Sequence, residues 1–239
     1  EKIKDIPDQV RAGQMVPDEW WEMIPAYLGL PVRITAHEIN CMPWMTWALT
    51  ALTCLVSIVS FNNLEPAVMQ LGMIPAEMFR MGGLTLVSNF FIHGDLFHLI
   101  GNMYFLMLFG GKAEDSLGKK RFLILIFLAT IIGNFVHAGF FPASHAPLIG
   151  ASGGISGLMV FYLLKFPRVK LGFFFWFWLY IRWVRISAPV FLLFWILQQL
   201  VVVIRQMGGI GNVSGLGHAG GAAVGFFFYL FYRKIKMNL

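Results

Sequence analysis

The chain has 239 residues, of which 58% are hydrophobic and 13% are charged, and its net charge is +6. A soluble domain of this length carries about 25% charged residues, so the composition excludes an ordinary soluble enzyme and favours a membrane protein. The two cysteines, Cys41 and Cys54, lack the spacing of a metal site or a disulfide framework, and we interpret them as packing residues. The sequence begins at Glu1 and shows no secretory signal peptide, and we expect further residues upstream of it.

The apolar runs predict six transmembrane helices, because a bilayer core requires about 20 apolar residues per helix. A polar N-terminal extension, residues 1–42, precedes the predicted membrane domain, residues 43–239. The charge-free run at 122–164 is long enough for two spans and is broken by two prolines within 141–147. In chain order, the predicted spans are residues 43–61, 96–111, two within 122–164, 186–204 and 206–232, the last opening with a glycine-rich loop at 208–217. The expected fold is an all-α membrane protein with a six-helix bundle.

The distribution of lysine and arginine predicts the orientation of this bundle. With the N-terminus in the cytoplasm, 16 of the 18 basic residues fall in cytoplasmic segments, and Arg80 and Arg205 are the exceptions. Both termini are therefore expected in the cytoplasm. The same distribution explains the basic net charge as a topology signal, so the sequence predicts no nucleic-acid partner.

Two connections are unusually apolar. The outer connection, residues 62–92, is too apolar for a solvated loop, and we expect it to lie partly in the membrane interface. Residues 173–183 are rich in phenylalanine and tryptophan on the predicted cytoplasmic side. Aromatic residues concentrate at the level of the lipid headgroups, so this second segment is interpreted as a membrane-surface segment.

Polar side chains inside a bilayer are costly and suggest function. Three predicted helices carry them: His98 and Asn102 lie in the second, Ser152 opens the fourth, and His218 opens the sixth. At a rise of about 1.5 Å per residue, the serine and both histidines lie roughly 20–22 Å from the next cytoplasmic charge. In a hydrocarbon core about 30 Å thick, they share a depth roughly 10 Å below the outer face.

Glycines spaced by four recur on the fourth and sixth helices, and small residues at this spacing let helix backbones approach closely. His218 shares a face with the glycines of the sixth helix, and Ser152 directly precedes the first glycine of the fourth. Close packing is therefore expected to bring Ser152 within reach of His218. The glycines are Gly153 and Gly157 on the fourth helix and Gly217, Gly221 and Gly225 on the sixth.

These groups fit the chemistry of amide hydrolysis. A serine hydroxyl becomes a nucleophile when a neighbouring base accepts its proton, so we predict Ser152 as nucleophile and His218 as base. His98 and Asn102, four residues apart on one helix face, and the Ser152 N–H at a helix start are candidate donors to an oxyanion. No intramembrane Asp or Glu is placed to orient His218, so the sequence predicts a dyad rather than a triad.

Each residue also has a purely structural interpretation. Ser152 alone fits a helix N-cap, His98 alone fits an interhelical hydrogen bond, and His93 fits a residue that stabilises the outer loop. The functional interpretation depends on Ser152, His98 and His218 lying at the same depth in the membrane. The other histidines have no partner motif and are interpreted as structural or solvated: His37, His137 and His145.

Three motifs together resemble those of the rhomboid intramembrane serine proteases. Residues 150–153, Gly-Ala-Ser-Gly, resemble the GxSG motif of that family. Residues 93–102 resemble its second-helix motif, and residues 218–225 resemble its catalytic-histidine helix. The resemblance extends from about residue 43 to the C-terminus and implies a rhomboid-like six-helix bundle.

The resemblance implies that Ser152 attacks the scissile carbonyl, that His218 acts as base and then as acid, and that the oxyanion is held by His98, Asn102 and the Ser152 N–H. It implies no metal and no cofactor. The implied substrates are single-pass transmembrane proteins cut near the outer end of their helix, with the outer connection and the fifth helix forming the entry gate. The implied location is a bacterial-type plasma membrane. The motif and packing glycines are Gly150, Gly153, Gly157, Gly221 and Gly225.

The sequence departs from the family pattern at two places. Ser156 stands where the family often has an aromatic residue that stacks on the histidine, and residues 83–87 replace a frequent Trp-Arg pair. Neither departure removes a catalytic atom, and they bear on how His218 is oriented and how the gate is stabilised.

Three other functions fit parts of the sequence. A catalytically inactive member of the same fold would bind transmembrane helices, but such proteins lose the serine or the histidine. A haem or metal protein would use the histidines, but His93 and His98 are five residues apart and would face different sides of a helix. A transporter would show repeat-related halves and broken helices, and neither is visible.

Overall fold

The computed structural model describes residues 26, 29–33, 41–177, 180–211 and 213–237. The side chains of residues 175–183 and 235–237 lie outside this description, as do His37 and most of the predicted N-terminal extension. The helices are α1 Trp44–Phe61, α2 Leu64–Leu71, α3 Thr85–Ser88, α4 Leu96–Leu117, α5 Lys119–Phe140, α6 Ser152–Lys165, α7 Ala188–Met207 and α8 Gly215–Met237. The strands are β1 Val32–Arg33, β2 Lys170–Phe177 and β3 Tyr180–Ser187.

Each of the six predicted spans overlaps one helix of the described chain. By length and composition, three of these helices are able to cross a membrane: α1, α5 and α7. The helix α6 is apolar but shorter, with 14 residues. The helical membrane fold is therefore confirmed, and the number of six membrane crossings stays a prediction.

The second and sixth spans have different ends from those predicted. The helix α4 continues past Gly111 to Leu117, because the charged residues that suggested its end are accommodated within the helix. Lys112 pairs with Asp115 at 3.0 Å, one turn further on. The predicted glycine-rich loop is shorter at its far end, because α8 already begins at Gly215.

The α1 N-terminus rests on a buried carboxylate of α4. Glu114, which is 4% exposed, accepts hydrogen bonds from the N–H groups of Met45 at 2.9 Å and Thr46 at 2.8 Å. The Thr46 hydroxyl donates to the same carboxylate at 2.9 Å. The first N–H groups of a helix have no partners within the helix and carry partial positive charge, so a carboxylate satisfies both needs.

The outer connection folds into short helices rather than a loop. It contains α2, α3, two single turns of 3₁₀ helix at Pro75–Glu77 and Asn89–Phe91, and a turn at Arg80–Gly83 in which Met81 and Gly82 have positive φ angles. The guanidinium of Arg80, one of the two basic residues outside the predicted cytoplasmic segments, donates to the carbonyls of Gln70 at 3.2 Å and Gly72 at 2.6 Å. This arginine satisfies carbonyl groups at the end of α2, which gives it a local structural role.

The described residues form two compact units, one within residues 39–165 and 194–239 and the other within residues 1–38 and 166–193. The second unit holds an antiparallel sheet in the order β1-β2-β3, with Val32 opposite Gly172 in its first pair of strands. The strands β2 and β3 include most of residues 173–183, the segment predicted to lie at the membrane surface. Aromatic and β-branched residues favour strands, yet we did not predict this sheet, which is an addition to the all-α architecture.

The core of the larger unit is α6, which packs against α4, α5 and α8. All ten of its residues from Gly154 to Leu163 are buried. The backbones of α6 and α8 are in direct contact: a Cβ atom at Gly221 would collide with the Gly153 carbonyl oxygen, and one at Gly225 with that of Gly157. Small residues at four-residue spacing allow this approach, as expected from the sequence.

At the other end of the interface between α6 and α8, Tyr232 of α8 contacts both α4 and α6. The Tyr232 hydroxyl on α8 donates to the carbonyl of Ser116 on α4 at 3.0 Å. The Lys165 amine on α6 lies 4.7 Å from the centre of the Tyr232 ring, within cation–π range. The interface is therefore held at both ends, by glycine contacts near Ser152 and by Tyr232 below.

Candidate active site

The first residue of α6 and the first turn of α8 meet through a hydrogen bond. The Ser152 Oγ lies 2.8 Å from the His218 Nε2, and both side chains are half-buried. This contact follows from the close approach of the two helix backbones at Gly153 and Gly221. The distance is within the range in which a base accepts the proton of a nucleophile.

A buried histidine holds the loop that precedes Ser152. The His93 Nε2 accepts a hydrogen bond from the Ala151 N–H at 3.4 Å, and its Nδ1 lies 3.0 Å from the Ser57 Oγ. The Ser57 hydroxyl donates to the Phe91 carbonyl at 2.8 Å, so it accepts the hydrogen carried by the His93 Nδ1. Burial lowers the pKa of His93 to about 3, which keeps the imidazole in this neutral form.

One expectation about His93 was wrong. We expected its ring on a different helix face from that of His98, but His93 precedes α4, and the two ring centres are 4.9 Å apart. Helical spacing does not apply to a residue outside the helix. In the described part of the chain, however, no three His, Cys, Asp or Glu residues are grouped to bind a metal.

The two predicted oxyanion donors flank the same loop. A Cβ atom at Gly150 would lie 2.8 Å from the His98 Nε2 and 3.9 Å from the Asn102 Nδ2, so both side chains face the backbone two residues before Ser152. The carboxylate of Asp95 accepts a hydrogen bond from the backbone N–H of His98 at 2.8 Å and so caps the N-terminus of α4. The Asn102 Nδ2 donates to the His98 carbonyl at 3.0 Å, and a side-chain amide nitrogen has a second hydrogen to donate.

A small cavity adjoins Ser152 and His218. Its volume is about 20 Å³, which is enough for one water molecule. Its wall includes the polar side chains of Thr130, Asn134 and Ser214. The cavity therefore offers a position for water next to the serine and the histidine.

A polar residue in direct contact with the candidate base was missed in the sequence. The Gln199 Oε1 on α7 lies 2.8 Å from the His218 Nδ1, on the side of the imidazole opposite Ser152. The signal was present, because Gln199 interrupts the apolar run at 186–204, but only three helices were interpreted as carrying intramembrane polar groups. Ser156, the residue in place of an aromatic, donates its hydroxyl to the Ser152 carbonyl at 2.7 Å.

His137, interpreted as structural or solvated, belongs to a second polar cluster. Its Nδ1 lies 2.7 Å from the Ser214 Oγ and 3.1 Å from the Gln206 Nε2. The Ser214 hydroxyl also accepts from the Gly217 N–H at 2.9 Å, just before His218. A structural role fits these contacts, which connect α5, α7 and the start of α8.

Comparison with known proteins places this site in a family context. A family model, the rhomboid domain, matches residues 77–235. RHOMBOID-like protein 12, mitochondrial, of Arabidopsis thaliana is 29% identical over 171 residues, which are 64% of this chain and 47% of that protein. Presenilin-associated rhomboid-like protein A, mitochondrial, of Danio rerio is 34% identical over 91 residues, 37% of this chain and 24% of that protein.

A third relative, Rhomboid-like protease 3 of Toxoplasma gondii, is 32% identical over 78 residues, 32% of this chain and 30% of that protein. The matched segments span less than half the length of each of these relatives. The family model, in contrast, covers well over half of this chain and includes Ser152, His218 and both predicted oxyanion donors. With its long apolar helices, the chain is an integral membrane protein that belongs to the rhomboid family.

Proposed function

We propose that this chain is an intramembrane serine endopeptidase that hydrolyses peptide bonds in or near the transmembrane helices of membrane-protein substrates. The observation that carries the proposal is the 2.8 Å hydrogen bond between the Ser152 Oγ and the His218 Nε2. A structural N-cap serine bonds backbone N–H groups of its own helix, and this geometry is instead that of a nucleophile and its base.

In the proposed reaction, the Ser152 Oγ bonds to the scissile carbonyl carbon while its proton passes to the His218 Nε2. The tetrahedral intermediate collapses, the C–N bond breaks, and the histidine gives the proton to the leaving amine. Water from the adjacent cavity then attacks the acyl carbon while His218 takes one of its protons. The histidine returns that proton to the Ser152 Oγ as its bond to the acyl carbon breaks, which releases the acid and the free serine. The cycle uses no metal and no cofactor.

The negative oxygen of the intermediate needs hydrogen-bond donors, which we assign to His98, Asn102 and the Ser152 N–H. The proximity of the first two to the Gly150 backbone supports the assignment. The Ser152 N–H lies in the first turn of α6, where backbone donors have no partners within the helix. Donors preorganised around a developing charge typically contribute a factor of about 10²–10³ each to the rate.

We propose single-pass transmembrane proteins as substrates and the lipid bilayer as their route of entry. Beyond Leu193, α7 exposes large apolar side chains, a surface that suits lipid or another apolar helix. The proposed gate consists of this helix and the outer connection. The word protease in the name of the Toxoplasma gondii relative is consistent with the proposed activity.

We also propose that the basic ends of the helices, and with them both termini, face the cytoplasm or its equivalent compartment. The bacterial-type plasma membrane stays a prediction that the comparisons do not favour. Several relatives, including those of Arabidopsis thaliana and Danio rerio, carry the word mitochondrial in their names.

The test is cleavage of a single-pass membrane substrate by the purified chain in liposomes. Ser152→Ala and His218→Ala are each expected to lower the rate by on the order of 10³-fold or more, because either change removes the dyad. Two matched controls are Ser60→Ala, whose hydroxyl bonds within α1, and His145→Ala on an exposed loop, and both are expected to keep the parent rate.

Labelling with a fluorophosphonate identifies the nucleophile independently of any substrate, since it reacts with an activated serine. We expect labelling of the parent chain and of both controls, and none of Ser152→Ala. Unchanged cleavage by Ser152→Ala would exclude the mechanism. Absence of both cleavage and labelling in the folded parent would favour the alternative function, an inactive rhomboid-like protein that binds transmembrane helices.

A further inference from the structure

The helix α7 turns a single face toward the rest of the larger unit. From residue 194 to its end, the half-buried residues recur every three or four positions, with one adjacent pair at 202 and 203, a pattern that defines one side of a helix. All other described residues in that stretch are exposed. The inward residues are Trp195, Gln199, Val202, Val203 and Gln206, so two of the five carry a side-chain amide.

Contacts with α5 and α8 explain why Gln206, the second of these two amides, faces inward. The Gln206 Nε2 donates to the His137 Nδ1 at 3.1 Å, and its Oε1 accepts from the Leu216 N–H at 3.1 Å. Both polar ends of Gln206 are thus used at the end of α7, and none of these contacts involves the serine or its base. Gln206 has a structural role.

The first amide is different, because its partner is the candidate base. The Gln199 Oε1 lies 2.8 Å from the His218 Nδ1, and the described chain shows two hydrogen-bond partners for this imidazole, Gln199 and Ser152. A polar side chain within a transmembrane helix is costly and is retained where it has a function. Gln199 is therefore expected to act through its hydrogen bond to His218.

The two hydrogen bonds of His218 define its proton positions. To accept the proton of Ser152, the Nε2 must be unprotonated, so a neutral imidazole carries its hydrogen on the Nδ1. That hydrogen requires an acceptor, and an amide oxygen only accepts. The Oε1 of Gln199 selects this tautomer and rejects the other, in which the Nδ1 lone pair would face the oxygen.

We propose that Gln199 is a positioning residue that holds His218 in the tautomer and orientation required to accept the proton of Ser152. The proposal rests on the function proposed above and adds a third member to the predicted dyad. The neutral amide supplies the acceptor that a carboxylate supplies in a Ser-His-Asp triad, without placing a charge inside the membrane. It also remains hydrogen-bonded to the imidazolium that forms after proton transfer.

The test compares three variants of the full chain in detergent and in liposomes. Gln199→Leu removes the acceptor at similar size, and Gln199→Glu keeps an oxygen acceptor. Gln198→Leu, at the exposed neighbouring position, is the matched control for the His218 spectrum. The first readout is the ¹⁵N spectrum of histidine-labelled protein at neutral pH, in which the His218 signals are those absent from His218→Ala. The second readout separates kcat from KM for cleavage.

We expect the parent, Gln198→Leu and Gln199→Glu to show a protonated Nδ1 and an unprotonated Nε2. Gln199→Leu is expected to show averaged tautomers and a kcat about tenfold lower with KM unchanged, the size of effect expected for one neutral hydrogen bond. Unfolding temperatures of the variants identify any loss of activity that comes from misfolding.

An unchanged His218 spectrum in Gln199→Leu would overturn the proposal, and so would a raised KM with the parent kcat, which indicates a role in substrate binding. The spectrum does not depend on catalysis. If the parent proved to cleave nothing, the failure would concern the proposed function, and the tautomer in Gln199→Leu would still decide whether Gln199 positions His218.

Discussion

At the scale of single residues, the site depends on a glycine rather than only on its reactive side chains. Gly150 has a φ of +108°, which side-chain-bearing residues rarely adopt, and its missing Cβ leaves the space that the His98 ring fills. Its N–H donates to the Asn89 carbonyl at 2.9 Å. Gly150 thereby sets the distance between Ser152 and the proposed oxyanion donors.

We expect Gly150→Ala to lower the cleavage rate about 100-fold, because displacement of the loop by about an ångström misplaces Ser152. The backbone strain should cost about 1–2 kcal/mol of stability. Gly118→Ala is the matched control, since Gly118 also has a positive φ, +76°, but no atom within 4 Å of an added Cβ. It should lose stability and keep the parent rate in a cleavage assay, whereas equal rates for both variants would contradict this role of Gly150.

At the scale of elements, the contact between α6 and α8 brings the serine and the histidine together. Gly153 and Gly157 on α6 face Gly221 and Gly225 on α8 with no side chains between the backbones. In a membrane, where water does not drive helices together, such close packing is a main source of association. Stability and catalysis are therefore expected to depend on the same four residues.

We predict that Gly221→Ala destabilises the protein by about 1–3 kcal/mol, because the added methyl collides with the Gly153 carbonyl. The helices must separate, so cleavage should fall as well. Gly139→Ala on α5 has no atom within 4 Å of the new Cβ and should be neutral or slightly stabilising. Thermal unfolding in detergent measures the stability of the two variants. A Gly221→Ala protein as stable as Gly139→Ala would contradict the close contact between the α6 and α8 backbones.

At the scale of the whole molecule, charge predicts how the bundle lies in the membrane. In the described part of the larger unit, one end of the bundle is basic. It carries Lys112, Lys119, Lys120 and Arg121 around the end of α4 and Lys165 beside Tyr232, and α1 begins there because its first N–H groups bind Glu114. The opposite end carries the loop between α5 and α6, with Ser152 just beyond it. Translocation of basic residues is disfavoured, so the two ends are expected on opposite sides of the bilayer.

Cysteine labelling tests this topology. In a Cys54→Ala background, the exposed Cys41 before α1 should react with a membrane-impermeant maleimide only from the cytoplasmic side. With Cys41 also replaced by alanine, a His145→Cys variant in the loop between α5 and α6 should react only from the other side. Both should react in detergent, which controls for accessibility. Labelling of the two positions from one side would contradict the predicted orientation.

Much of the fold was predictable because its signals are local in the sequence. Apolar runs long enough for a bilayer predicted the six principal helices, and the glycine spacing predicted which faces of α6 and α8 meet. The C-terminal end of α4 was less predictable, because Glu114 is charged in sequence and becomes buried only when α1 supplies its N–H groups. The hairpin of β2 and β3 was missed, since its aromatic composition also fits a membrane-surface segment.

The sequence by itself determined the class of molecule, the motifs and the pairing of Ser152 with His218, because hydropathy, charge and glycine spacing act along one helix at a time. Only the tertiary structure decided what surrounds that pair. His93 holds the loop before the serine, and Gln199 meets the far side of the imidazole. Both contacts join segments distant in sequence, and a hydrogen bond depends on distance and direction in space, which no periodicity in the sequence records.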